Sequence, residues 1–257
     1  MNIGFSSWSI RTLMKSMSLL DAVTCTQQRF DLPWWEGCMS HFPNRQSPQQ
    51  YFGTGLTNIV GTIRIDHGAN GNLAGADQSV TDASIATSKD WLDFAASIAS
   101  CRAVKINPGS GQDLHVARSS YQTIAAYAST LQLDVLIENS NDGSKGPLTC
   151  GDSLFRLLDS GIEGIGLVLD LGNFPEDGSR RLDQISRLLP YARAVEIKVT
   201  DSSEGFAVTD RELEHALGLG WEGDGFIDYS GDQDPFDAID FALMRIRNYS
   251  SRIVSDS

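Results

Sequence analysis

The chain has 257 residues, the usual size of one eight-stranded α/β barrel, so one large core is possible. It carries 33 acidic and 20 basic residues, and this formal net charge of -13 argues against a nucleic-acid or anionic-membrane partner. No segment is apolar over the length of a membrane span, and no change in composition divides the chain, so we expect a single domain over residues 1–257.

The four cysteines are scattered and have no zinc-ligand spacing, as is typical of reduced thiols. The first residues lead directly into a strand and lack the basic and apolar regions of a secretory signal. We therefore expect a cytoplasmic protein.

The first half of the chain predicts four strands with helices between them. A helix over residues 18–30 begins at a serine cap and carries an apolar stripe, and a second helix covers residues 91–99. The predicted strands cover residues 3–8, 31–37, 59–66 and 103–107.

The second half repeats one pattern, in which an apolar run ends on or near a carboxylate. Runs of this kind lead to Glu138, to Asp170, to Glu196 and to Asp256. The first three have the almost wholly apolar composition of parallel strands that are buried on both faces. Because parallel strands end at one rim, we expect these acids to converge there, where α/β barrels keep their chemistry.

Helices over residues 116–131, 152–158, 181–189 and 235–248 separate these strands, with the eighth strand at residues 252–256. Eight strands alternating with helices predict a (β/α)8 TIM barrel. The printed sequence ends directly after the eighth strand, so we expect the barrel to lack a regular final helix.

Five short motifs resemble, in order, those of the xylose isomerase-like TIM-barrel superfamily, and within it the sugar phosphate isomerase/epimerase group. They are Ile137-Glu138-Asn139 ("IEN"), Leu169 to Asn173 ("LDxGN"), Val195 to Lys198 ("VHxK"), Gly220 to Tyr229 ("GxGxIDF", a turn before the seventh helix) and Tyr249 to Asp256 (the last strand).

The resemblance implies a divalent metal held at the ends of four strands, with Glu138, Asp170, Glu196 and Asp256 as its ligands by position. Glu196 stands where the family usually has histidine, and Asp256 stands where it usually has glutamate. A set made only of carboxylates suits magnesium or manganese better than zinc.

Several other residues at strand ends are candidates for binding a substrate, although each also has an ordinary structural interpretation. An aromatic side chain can stack on a sugar or fill the core, and a rim charge can bind substrate or pair with another rim charge. His67 can act as a proton shuttle near neutral pH. The candidates are Trp8, Glu36, Arg64, His67 and Lys105, and Trp34 is a further aromatic residue in this part of the chain.

The resemblance favours a metal-dependent isomerase or epimerase of a keto sugar or sugar-like polyol. Such a reaction moves a proton next to a carbonyl group, and two flanking carboxylates can serve as base and acid. We expect Glu138 on one side and Asp256 or Glu196 on the other, with Lys198 stabilising developing negative charge. A keto-polyol dehydratase or lyase, and a non-catalytic barrel that acts as a binding or partner subunit, remain open as alternatives.

A barrel without its last helix would leave an apolar flank beside the first and eighth strands, at Ile3 or Phe5 and Ile253. Exposed apolar patches of this kind mark interfaces. We therefore expect a homodimer, or a complex with another subunit, that covers the flank.

Overall fold

The structure is a computed structural model that describes residues 1–42, 60–65, 72–98, 100–140, 147–174 and 178–255. For residues 60–65, 178 and 250–255 it describes the backbone only.

Eight parallel strands form a closed barrel in the described part of the chain. The described residues form nine strands in all, namely β1 (Asn2–Ser6), β2 (Trp35–Cys38), β3 (Val60–Ile65), β4 (Ala103–Ile106), β5 (Asp134–Glu138), β6 (Ile165–Asp170), β7 (Ala192–Ser202), β8 (Gly205–Val208) and β9 (Asp224–Tyr229). Neighbouring strands pair in chain order from β1 to β7, and β9 lies between β7 and β1 and closes the ring. β8 lies outside the ring, antiparallel to the end of β7. The predicted TIM barrel is confirmed.

Seven α-helices alternate with these strands in the described residues. Side-chain oxygens of Ser18, Asp77 and Asp113 accept backbone N–H groups in the first turns of the first three, which satisfies donors that a helix start leaves without partners. The helices are α1 (Leu19–Phe30), α2 (Gln78–Ala96), α3 (Leu114–Thr130), α4 (Gly151–Leu158), α5 (Gly178–Leu188), α6 (Asp210–Gly218) and α7 (Pro235–Ser255).

The end of the chain differs from the sequence prediction. The eighth barrel strand is β9, where a turn before the seventh helix was expected, and residues 252–255 continue α7 instead of forming a strand. The prediction that the barrel lacks its final helix is therefore wrong. Asp256, the residue expected to end that strand, lies outside the described residues.

α7 also removes the reason for expecting a partner on this flank. It packs against β7, β8 and β9, with Ala238, Ile239 and Ala242 fully buried. Phe5, expected on the uncovered flank, is fully buried as well. The side chain of residue 253 is not among those described. The predicted homodimer or complex thus loses the exposed patch on which it was based.

The barrel interior changes character along its axis. Alternate strand residues face inward, and an inner layer is apolar, formed by Trp34, Ala103, Leu136, Val168, Ala194 and Phe226. Two residues further along the same strands, towards their carboxyl ends, the inward positions carry charge. The fold therefore places the buried ionisable residues of the barrel interior in one layer at the carboxyl mouth. In the described part of the chain, no helix has the length and apolar character of a membrane span.

We expect Ile239→Ala to lower the free energy of unfolding by about 2–5 kcal/mol, because it leaves a cavity between α7 and the barrel. Met244 lies on the same helix and is 49 % exposed, so Met244→Ala is the matched control and should change stability little. Urea unfolding of both variants measures the difference. Equal effects of the two substitutions would contradict the packing of α7 on the barrel.

Candidate active site

Five acids and two lysines from six strands meet at the carboxyl mouth, and we name them the carboxylate cluster. At most 2 % of the surface of each acid is exposed, although isolated buried charges are costly. The acids are therefore held by opposite charges. The members are Glu36 (β2), Lys105 (β4), Glu138 (β5), Asp170 (β6), Glu196 and Lys198 (β7), and Asp228 (β9).

Lys105 is the innermost cation of this cluster and is fully buried. Its Nζ lies 2.7 Å from Glu36 Oε1, 2.7 Å from Glu138 Oε2 and 3.3 Å from Glu196 Oε2. The same Nζ lies 5.3 Å from the centre of the Phe226 ring, which adds a cation–π contact from the apolar inner layer. One ammonium group thus connects strands β2, β5 and β7 across the barrel.

Lys198 is the second cation, and it faces the other acids. Its Nζ lies 2.9 Å from Asp170 Oδ2, 2.7 Å from Glu196 Oε1 and 2.6 Å from Asp228 Oδ2. Burial disfavours the ammonium form of Lys198, but the charges of these three carboxylates outweigh burial and hold its pKa well above the usual value. Lys198 therefore stays protonated at neutral pH and cannot serve as a base there.

One neighbouring side chain and one backbone N–H group each hold an acid of the cluster in place. Ser6 Oγ donates to Glu36 Oε2 at 2.9 Å, and the backbone N–H of Gly172 donates to Asp170 Oδ1 at 2.8 Å. A Cβ on Gly172 would lie only 2.8 Å from Cβ of Lys198, so the "LDxGN" glycine is needed for this close approach. The turn after β6 is thereby held against β7.

Two asparagines connect β5 with the turn after β6. The Asn139 side chain accepts from Asp170 N at 2.7 Å and donates to Asp170 O at 2.9 Å. Asn173 Nδ2 donates to Glu138 Oε1 at 3.3 Å. Asn139 of the first motif therefore holds Asp170 of the second, and Asn173 of the second motif holds Glu138 of the first.

Three acids offer oxygens that lie close enough together for a metal ion to bind between them. One carboxylate oxygen each from Glu138, Asp170 and Glu196 lies within 4.8 Å of the others, and all three residues are buried. Asp228 is linked to Asp170 and Glu196 through Lys198. The arrangement can hold a hard cation or exchange protons with a small molecule in the mouth.

The structure brings together six of the predicted site residues, namely Glu36, Lys105, Glu138, Asp170, Glu196 and Lys198. Trp8 lies at the rim, 37 % exposed, with its ring stacked 6.4 Å from His41. Arg64 belongs to β3, but its side chain is not described, and His67 and Asp256 lie outside the described residues. Trp34 lies at the opposite end of the barrel, immediately before β2.

Sequence reasoning missed two residues of this mouth. Asp228 was available as an acid near the end of a short buried run, the same signal that marks Asp170, but its three neighbouring glycines suggested a turn. His41 gave no sequence signal, yet its Nδ1 lies 2.9 Å from Ser7 Oγ. Burial, and then the charge of Arg11, lower the pKa of His41 to about 4, so it is neutral at physiological pH.

A closed parallel barrel with its ionisable residues at the carboxyl mouth defines the chain as a (β/α)8 TIM barrel with a candidate active site in the usual place. More narrowly, the chain is similar in fold to solved structures of xylose isomerase-like TIM-barrel proteins and of sugar epimerases. Several solved structures with this fold match the chain over most of its length. No protein-family model and no curated protein sequence matches it.

Three of the similar structures show how far the likeness goes. A D-tagatose 3-epimerase-like protein has a TM-score of 0.77 at 15% identity, covering 98% of this chain and 100% of that one. An L-ribulose 3-epimerase has a TM-score of 0.74 at 13% identity, covering 99% and 97%. A xylose isomerase-like TIM barrel protein from Mycobacterium smegmatis, in complex with magnesium, has a TM-score of 0.64 at 12% identity, covering 90% and 88%. At such identities the likeness establishes the fold.

We expect Lys198→Met to lower the free energy of unfolding by about 3–5 kcal/mol at pH 7, because three buried carboxylates lose their shared cation. Without it, burial favours the neutral, protonated form of these carboxylates in the folded state. The variant then gains stability as the pH falls and these acids take up protons. Urea unfolding between pH 4.5 and 8, with chelator present, measures the difference from the unchanged protein.

Lys15→Met, at an exposed lysine, is the control and should change stability little at any pH in this range. A Lys198→Met penalty that does not shrink on acidification would show that the three acids do not depend on Lys198.

Proposed function

We propose that the chain is a metal-dependent isomerase or epimerase of a keto sugar or sugar-like polyol. The observation that carries the proposal is the buried meeting of Glu138, Asp170 and Glu196, with ligand oxygens within 4.8 Å of one another. The similar structures named as epimerases support the same reaction class through the shared fold.

The residues fit a divalent cation of the hard type. All the donors are carboxylate oxygens, and among the described side chains of the cluster five carboxylates face two ammonium groups, which leaves three formal negative charges in excess. Glu138, Asp170, Glu196 and Asp228 would hold the ion, and magnesium or manganese suits such donors. A bound ion of this kind polarises a carbonyl oxygen of the substrate.

Proton transfer requires an acceptor and a donor on two sides of the substrate carbon. Glu138 and Asp228 come from strands that are three positions apart in the ring, so they approach the mouth from different sides. Asp228 Oδ1 is buried and has no hydrogen-bond partner within the described residues, so it can accept a proton. We assign these two carboxylates as the acid–base pair.

Lys198 and Lys105 have different roles in this proposal. Lys198, which remains an ammonium group, stabilises the negative charge that develops on the substrate oxygen. Lys105 holds Glu36, Glu138 and Glu196 in position from within the barrel. Trp8 and the neutral His41 offer an aromatic wall at the rim, against which the substrate carbon chain can pack.

We expect the purified protein to bind one manganese or magnesium ion, and saturation at about 100 times Kd should stabilise it by about 2.7 kcal/mol. Asp170→Asn should abolish this gain, because it removes a charged ligand and keeps the size of the side chain. Elemental analysis and thermal unfolding with and without chelator measure both effects. If the chelated and metal-loaded proteins unfold at the same temperature, the metal requirement is wrong.

We expect Glu138→Gln to slow solvent deuterium incorporation next to the substrate carbonyl by at least about a hundredfold. The substitution removes the proton acceptor at nearly equal volume. Mass spectrometry on a panel of ketohexoses and ketopentoses measures the exchange, and product analysis separates epimerisation from loss of water. Glu163→Gln, at an exposed glutamate, is the control. Undiminished exchange in Glu138→Gln would refute the assignment of this residue.

A further inference from the structure

A second cavity lies at the amino-terminal end of the barrel, opposite the carboxylate cluster. It has a volume of about 250 Å³, and the residues that line it lie within the first three positions of the strands or shortly before them. This volume equals that of roughly eight water molecules in the liquid, enough for a ligand with about as many non-hydrogen atoms. The polar residues that line it are Asn2, Trp34, Arg102, Asp134, Arg193 and Asp224.

Small residues inside the barrel create this space. Ala103 and Ala194 leave room in the inner layer, whereas most barrel interiors are filled by bulky branched side chains. Two glycines let larger groups enter: a Cβ on Gly4 would lie 2.6 Å from Cδ2 of Trp34, and one on Gly166 would lie 2.6 Å from Cγ of Arg193. Gly4 and Gly166 therefore leave room for the side chains of Trp34 and Arg193 beside the cavity.

A local irregularity of β7 directs Arg193 towards the cavity. Leu167 of β6 pairs with Ala192 and the next residue, Val168, pairs with Ala194, so Arg193 is left out of the register. Such bulges change the direction of a side chain. Arg193, which alternation would place on the outer face, lines the cavity instead.

Three donors at this cavity have no partner within the part of the chain that the structure describes. The indole Nε1 of Trp34 is buried and makes no hydrogen bond there. Arg102 and Arg193 are exposed to solvent, and their guanidinium groups make no ion pair or side-chain hydrogen bond with the described residues, so both are available to a ligand. A buried N–H without a partner destabilises the fold, so the Trp34 indole favours a ligand that brings an acceptor.

The rim also provides two acids, which limit the chemistry of an occupant. Asp224 accepts a hydrogen bond from Asn2 Nδ2 at 3.2 Å, and Asp134 lies at the start of β5. The two arginines and two aspartates together have no net charge, which disfavours a multiply charged anion. Leu136 and the two alanines supply an apolar floor between the charged groups.

We propose that this cavity binds a small zwitterion with an apolar body, of the α-amino acid class. The carboxylate of the ligand accepts from Arg102, Arg193 and Trp34 Nε1, and its ammonium group donates to Asp134 or Asp224. Its apolar side chain lies on Leu136, Ala103 and Ala194. The site is separate from the carboxylate cluster and does not depend on the proposed reaction.

Isothermal titration calorimetry with three related probes tests this proposal on the complete chain. L-Leucine carries both charges, 4-methylpentanoate lacks the ammonium group, and 3-methylbutylamine lacks the carboxylate. We expect L-leucine to bind and each analogue to bind at least about tenfold more weakly, since each loses charge-assisted hydrogen bonds. Equal binding of 4-methylpentanoate would overturn the zwitterion class, and no binding of any probe would overturn the site.

Three variants of cavity residues and one control variant test whether L-leucine binds at this cavity. Arg193→Gln and Trp34→Phe should each weaken L-leucine binding by about tenfold, whereas Arg180→Gln, on the exposed side of α5, should leave it unchanged. Ala194→Leu should abolish binding by filling the cavity. Should that variant not fold, Arg193→Gln decides by itself. Binding that withstands both Arg193→Gln and Trp34→Phe would overturn the assignment to this cavity.

Discussion

The structure depends on two ammonium groups, the fully buried Lys105 and the partly buried Lys198, that hold five buried carboxylates. Each carboxylate comes from a different strand, and every one of them would be costly to bury without a cation. Lys105 and Lys198 share Glu196 between them, so the two halves of the network are joined at β7. Electrostatic attraction therefore determines the geometry of the barrel mouth as much as packing does. The opposite charges meet only when the ring of strands is closed.

The same network sets what the mouth can do. Because its carboxylate partners hold the pKa of Lys198 well above the usual value, Lys198 acts as a cation near neutral pH and cannot act as a base there. Because the described acids outnumber the described lysines of the cluster, the mouth has a formal excess of negative charge, which favours a cation there over an anion. Both features follow from which residue types the strands carry at their ends, and neither requires movement of the barrel.

Much of this could be predicted from the sequence, because buried parallel strands are recognisable from composition alone. β5, β6 and β7, with Glu138, Asp170 and Glu196 at the same depth, follow directly from their apolar runs. β9 could not be recognised so easily, since Gly223 and Gly225 resemble turn residues and Asp228 is followed by one more strand residue. Residues 252–254 have strand-like composition, but they continue a helix whose buried positions Ile239, Ala242, Leu243 and Ile246 already follow the helical period.

α2 shows a second limit of sequence reasoning. Its first half is rich in serine and threonine, which usually favour turns, yet Ser84 and Ser88 donate to the carbonyl oxygens four residues earlier and stay within the helix.

The cavity at the amino end of the barrel could not be predicted from the sequence either. It results from volume that Gly4, Ala103, Gly166 and Ala194 do not fill, and an absence of volume becomes visible only when strands far apart in the chain face each other. Charge placement at one end of a barrel can be inferred strand by strand, whereas empty space at the other end is a property of the closed ring.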